Sequence, residues 1–71
     1  MNKQSAAAVA AFTTLPDNGL VPVDAAAVIC ALGISTIWRR VKDGRFPAPI
    51  KVQRSTRWRA GDLRAWLQAQ G

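Results

Sequence analysis

Two prolines one residue apart, in Phe46-Pro47-Ala48-Pro49, divide this chain into halves with different periodicities. Neither proline carries an amide hydrogen, and each biases the residue before it towards extended backbone. A helix arriving from the N-terminal side must therefore stop short of them, and the chain must leave in an extended form. Gly44 offers the stop. Upstream lies Ser35-Thr36-Ile37-Trp38-Arg39-Arg40-Val41-Lys42-Asp43. At about 100° per residue it puts Ile37, Trp38 and Val41 in one arc, with Ser35, Thr36, Arg39 and Asp43 opposite and Arg40 and Lys42 beside them. One face can bury and the other is cationic. Downstream, residues 50–59 alternate with period two. Ile50 and Val52 oppose Lys51 and Gln53, and beyond a tip at Arg54-Ser55, Thr56 and Trp58 oppose Arg57 and Arg59. That pattern predicts a hairpin with an apolar face and a basic strip of Lys51, Arg54, Arg57 and Arg59 directed to solvent or phosphate.

Ahead of the cationic helix, Asp24 follows Leu20, Val21 and Val23 and precedes a run of alanines with Val28, Ile29, Cys30 and Leu32. A carboxylate there predicts an N-cap and a first helix that buries Val28, Ile29 and Leu32. Gly33 supplies a positive φ at its end, and Ser35 caps the next helix. Helix, tight turn and cationic helix together describe a helix-turn-helix. After the hairpin, Leu63, Trp66 and Leu67 at i, i+3 and i+4 predict a closing helix whose start, Ala60-Gly61, is a poor cap. Trp58 and Trp66 read as core, and Trp38 as half-buried beside the cationic face. Residues 1–19 are alanine-rich, lack a clear apolar stripe, and end in the turn Pro16-Asp17-Asn18-Gly19. The expectation is a disordered tail, 1–19, ahead of one domain, 20–71.

Charge and composition then bound the function. The net charge is +6, and nine of the ten Lys and Arg, but only two of the four Asp, lie after residue 35. The second half faces a polyanion. Without His and with the single Cys30, the chain can build neither an intramolecular disulfide nor the usual zinc sites, and no cofactor is expected. Cys30, in an apolar run, reads as a small buried hydrophobe. No His, no paired carboxylates outside turns and helix ends, and no Gly-rich phosphate loop argue against an enzyme. A non-specific or RNA-binding basic module is the rival, weakened by the absence of Tyr and by aromatics at helix spacings instead of on an exposed strand. No segment approaches membrane-spanning length, and residues 6–12 are too short and too weakly apolar for the centre of a secretory signal.

Gly33 to Pro49, followed by Ser55 to Leu67, resembles the AlpA-like prophage regulators and related phage excisionases, over roughly residues 20–69. The most specific parts are Gly44-Arg45-Phe46-Pro47 with Pro49, Arg57-Trp58-Arg59, and Asp62 with Ala65-Trp66-Leu67. The resemblance implies an α+β fold, a small MerR-like winged helix-turn-helix of two short helices, a β-hairpin wing and a C-terminal helix, with a flexible N-terminal tail. It implies double-stranded DNA as partner, contacted by Ser35, Thr36, Trp38, Arg39, Arg40 and Lys42 on the recognition helix and by Lys51, Arg54, Ser55 and Arg57 on the wing. A site-specific recombinase (integrase) and further copies of the chain on DNA are candidate partners, and the bacterial cytoplasm is the expected location. Excisionase comes first among the functions implied, and transcriptional regulator of prophage or integrase genes second. The turn is about two residues shorter than usual in the family, which leaves the helix start open between Gly33 and Ser35. A glycine is expected near Gln53 but is missing.

Overall fold

A computed structural model describes residues 3–70. The first two residues of the expected tail, and Gly71 of the expected domain, lie outside them. In order come α1 (Lys3–Thr14), β1 (Leu20–Pro22), α2 (Val23–Cys30), α3 (Ile34–Lys42), β2 (Ile50–Val52), β3 (Ser55–Arg59) and α4 (Ala60–Gln70). The strands form one antiparallel sheet in the order β1-β3-β2. This is the winged helix-turn-helix architecture: α2 and α3 joined by a short turn, the β2-β3 hairpin as wing, and α4 closing the core.

Trp58 sits at the centre of that core. It lies on the middle strand, is fully buried, and pairs across the ladder with buried Val21. Phe46 meets its ring edge-on at 5.8 Å, and the indole N–H donates to the Pro47 carbonyl at 2.8 Å. The proline-rich connection thus supplies both an apolar side chain and an acceptor. Ala26, Ile37, Ala60 and Leu63 complete the dry centre. Trp66 is only half-buried, against Phe46 at 5.0 Å, and its N–H donates to the Arg45 carbonyl at 3.1 Å. Its expected core role is therefore partial. The buried face of α2 is Ala26 and Cys30, whereas Val28, expected inside, is exposed. Burial pushes the Cys30 thiol up to about 11, which keeps it protonated at neutral pH.

The two helix-ending turns use one device with different residues. After α3, Gly44 takes φ 75°, and the N–H groups of Gly44 and Arg45 reach back to the carbonyls of Val41 and Arg40. After α2 the same pair of bonds runs from Ala31 to Val28 and from Leu32 to Ala27, with Ala31 in the left-handed region at φ 57°. Gly33, expected to provide the positive φ, is extended at φ −72° and serves as the N-cap of α3. A Cβ in the left-handed region is strained. Ala31→Gly is therefore expected to stabilise the domain by about 1 kcal/mol, raising Tm by about 4 to 8 °C in a thermal melt. An unchanged or lower Tm would contradict that account of the turn.

Helix α1 occupies sequence for which composition suggested a tail. Its Phe12 is buried in the core, and Arg64 of α4 explains the docking. The Arg64 guanidinium donates to the Phe12 carbonyl at 2.8 Å and to the Leu15 carbonyl, pairs with Asp17 at 2.7 Å, and lies 4.9 Å from the centre of the Phe12 ring. One cation thus satisfies carbonyls at the C-terminal end of α1. The 17–19 turn meets α4 as well: Gly19 and Asp17 offer carbonyls to the N–H groups of Ala60 and Gly61. That contact replaces the missing cap. A Cβ on Gly61 would come within 2.9 Å of Asp17, so the close approach needs glycine there.

Candidate nucleic-acid interface

The cationic helix begins at Ile34, one residue before Ser35, because Gly33 is the N-cap. Ser35 and Thr36 therefore belong to the first turn and do not cap it. No side-chain bond closes this end of the helix. Ile37 is fully buried, so the opposite face must be presented to solvent. Ser35, Arg39 and Lys42 are exposed there, with Thr36 and Arg40 half-buried along one margin. Trp38 marks the other margin. It is 38% exposed and packs 5.5 Å from Trp58, which fastens α3 to the sheet beside the hairpin.

The hairpin departs from the expected arrangement. Its loop is Gln53-Arg54, closed by the Val52–Ser55 pair, so the tip lies one residue earlier than Arg54-Ser55. Residues directly opposite one another in an antiparallel ladder share a face. Lys51 is opposite Thr56 and so lies on the face of Trp58, towards α3, whereas Ile50 and Val52 share the outer face with Ser55, Arg57 and Arg59. The expected separation into an apolar and a basic face is corrected to a mixed outer face. Any two-residue loop, at Arg54-Ser55 as at Gln53-Arg54, puts Lys51 on the face of Thr56 and Trp58; the expected separation of faces is incompatible with its own tip and would need an odd number of loop residues. Gln53 takes φ 56°, the conformation for which glycine was expected near this position.

The ten proposed contact residues thus fall into separate groups. Six lie on α3; Lys51 lies on the wing face that carries Trp58, which Trp38 of α3 packs against; Arg54 is exposed at the tip, and Ser55 and Arg57 lie on the outer face. Arg64, counted among the basic residues of the second half, is engaged with α1. Arg45 is exposed and pairs with Asp43 at 3.5 Å. Cations on both faces of a projecting hairpin, next to a helix with a cationic outer face, can straddle a phosphate backbone while the helix enters a groove. Sequence reasoning left the start of α3 open between Gly33 and Ser35; the structure begins the helix at Ile34 with Gly33 as its N-cap. Glycine's acceptability as an N-cap was the available signal. Among the described residues no cluster of three or more potential metal ligands forms, and no helix is long and apolar enough to cross a membrane.

A family model described as the prophage CP4-57 regulatory protein (AlpA) matches residues 20–70. The match starts with β1 and leaves α1 outside it. No curated protein and no solved structure gives a match.

Proposed function

The chain belongs to the AlpA family of prophage regulatory proteins, regulators that bind DNA, and on that premise we propose that it acts as an excisionase. In this role it binds repeated sites cooperatively and bends DNA for a site-specific recombinase. The observation that carries the proposal is the small size of the reading surface: α3 has nine residues, and only part of one face is exposed. At about 1 to 3 kcal/mol of discrimination per good base contact, three or four contacts fall short of selecting one site in a genome. Several copies on neighbouring repeats supply the remainder. The outer face of the sheet, with Leu20 and Val52 exposed beside Arg57 and Arg59, offers a surface for contact between adjacent copies. Cations massed on one side of the duplex favour a bend, whose elastic cost over a short site is about 1 to 6 kcal/mol.

Footprinting on the element's attachment site and on the promoter of its integrase gene tests the role. Protection of the attachment site, with bending, is the expected result. Protection of the promoter alone would overturn it in favour of a transcriptional regulator, the reading closer to the family description. Sedimentation of the free chain, set beside gel-shift titration on one repeat and on the full array, tests cooperativity. Within this reading Arg39 reaches base edges and Arg54 reaches backbone. Arg39→Ala is expected to cost about 1 to 3 kcal/mol on the specific site alone, whereas Arg54→Ala weakens all sequences about equally. Equal losses on specific and random DNA for Arg39→Ala would mean that α3 reads no bases.

A further inference from the structure

Ile34 is 45% exposed, more than any other large apolar side chain among the described residues. Single exposed aliphatics are ordinary on protein surfaces. This one stands at the first position of α3, and its i+4 neighbour is Trp38, itself 38% exposed. The pair forms an apolar strip at the margin of α3 where the buried arc of Ile37 and Val41 gives way to the exposed face of Ser35, Arg39 and Lys42. An isoleucine and a tryptophan left open in cationic surroundings fit a target that is polyanionic overall and apolar at one point. Duplex DNA offers one such point in the major groove, the C5-methyl of thymine. The N-terminal residues of a recognition helix are also the ones that come closest to base edges.

We infer that Ile34 determines specificity by packing on a thymine methyl, with Trp38 closing the contact from the wing side. The inference rests on the DNA-binding reading and adds to it a base identity that Arg39 and the hydroxyls of Ser35 and Thr36 do not supply. It also gives the short turn between α2 and α3 a consequence, since a helix starting at Ser35 would leave Ile34 in the connection.

The test uses the full chain and the duplex it enriches from a random-sequence pool. Each thymine of that duplex is replaced in turn by deoxyuracil, which removes the methyl group and nothing else. Wild type is expected to bind about four-fold more weakly at one or two adjacent positions, the equivalent of ~0.8 kcal/mol for one buried carbon. Ile34→Ala, with a thermal melt to establish that it stays folded since the side chain is half-covered, is expected to bind thymine and deoxyuracil equally there. Ile34→Val should fall between. Wild-type indifference to every deoxyuracil, or undiminished sensitivity in Ile34→Ala, would overturn the inference while leaving selective DNA binding intact. Failure to enrich any sequence would overturn both.

Discussion

Replacing Trp58 by alanine is expected to leave the chain without a cooperative unfolding transition at room temperature. The side chain is fully buried at the meeting point of all three strands with α3 and the proline connection, and it touches Trp38 and Phe46. Loss of so large a buried aromatic costs about 3 to 5 kcal/mol, and a single core in a chain of this size supplies about 3 to 5 kcal/mol in total. The Pro47 carbonyl would lose its donor as well. Trp58→Phe keeps most of the packing and should stay folded at reduced Tm. Circular dichroism with thermal melting separates the two variants, and a well-folded Trp58→Ala would show that the core lies elsewhere. Trp66→Ala should cost less, because that ring is half-buried and its polar end rests on the exposed Arg45.

What could be read from the sequence followed from local rules. The helical spacing of Ile37 and Val41, the stop at Gly44, the extended exit through Pro47 and Pro49, and the apolar spacing of Leu63 and Trp66 all depend on residues within a turn or two of one another. The remaining features depend on distance or on parity. Helix α1 is held by a guanidinium 47 residues away from its salt-bridge partner in the adjoining turn, and alanine content carries no trace of that contact. The start of α4 is satisfied by carbonyls at Asp17 and Gly19, outside any local capping pattern. Alternation correctly indicated strands at β2 and β3, but the faces depend on whether the loop has an even or odd number of residues. A shift of one exchanges every side chain. For the candidate interface, the even loop keeps Lys51 on the face of Trp58 and leaves Arg57 on the outside.

Raising salt from about 50 to about 200 mM is expected to weaken DNA binding by about 200- to 1,000-fold. Seven Lys and Arg lie on α3 and the hairpin: Arg39, Arg40, Lys42, Lys51, Arg54, Arg57 and Arg59. Since Arg40 and Arg57 are half-buried and the hairpin carries charge on both faces, about four to six phosphates can be neutralised by one copy, which gives a log-log slope of about −4 to −5. A slope shallower than about −2 would remove nucleic acid as the main partner. Arg64 does not contribute, because its charge is committed to α1 and Asp17. Accordingly Arg64→Ala should leave the slope unchanged while loosening the N-terminal helix.

The strand order has a consequence in time. Chains are synthesised from the N-terminus, yet the middle strand of this sheet is the last of the three to be made. Until β3 emerges, β1 and β2 have no neighbour to pair with, and the helix-turn-helix between them has no tryptophan to close over. A nascent chain that has already produced every residue of α3 is therefore still unable to hold it in place. Competence cannot precede Ser55–Arg59 and waits further for Leu63 of α4 to close the core, so a chain truncated or stalled ahead of β3 yields no partly active regulator.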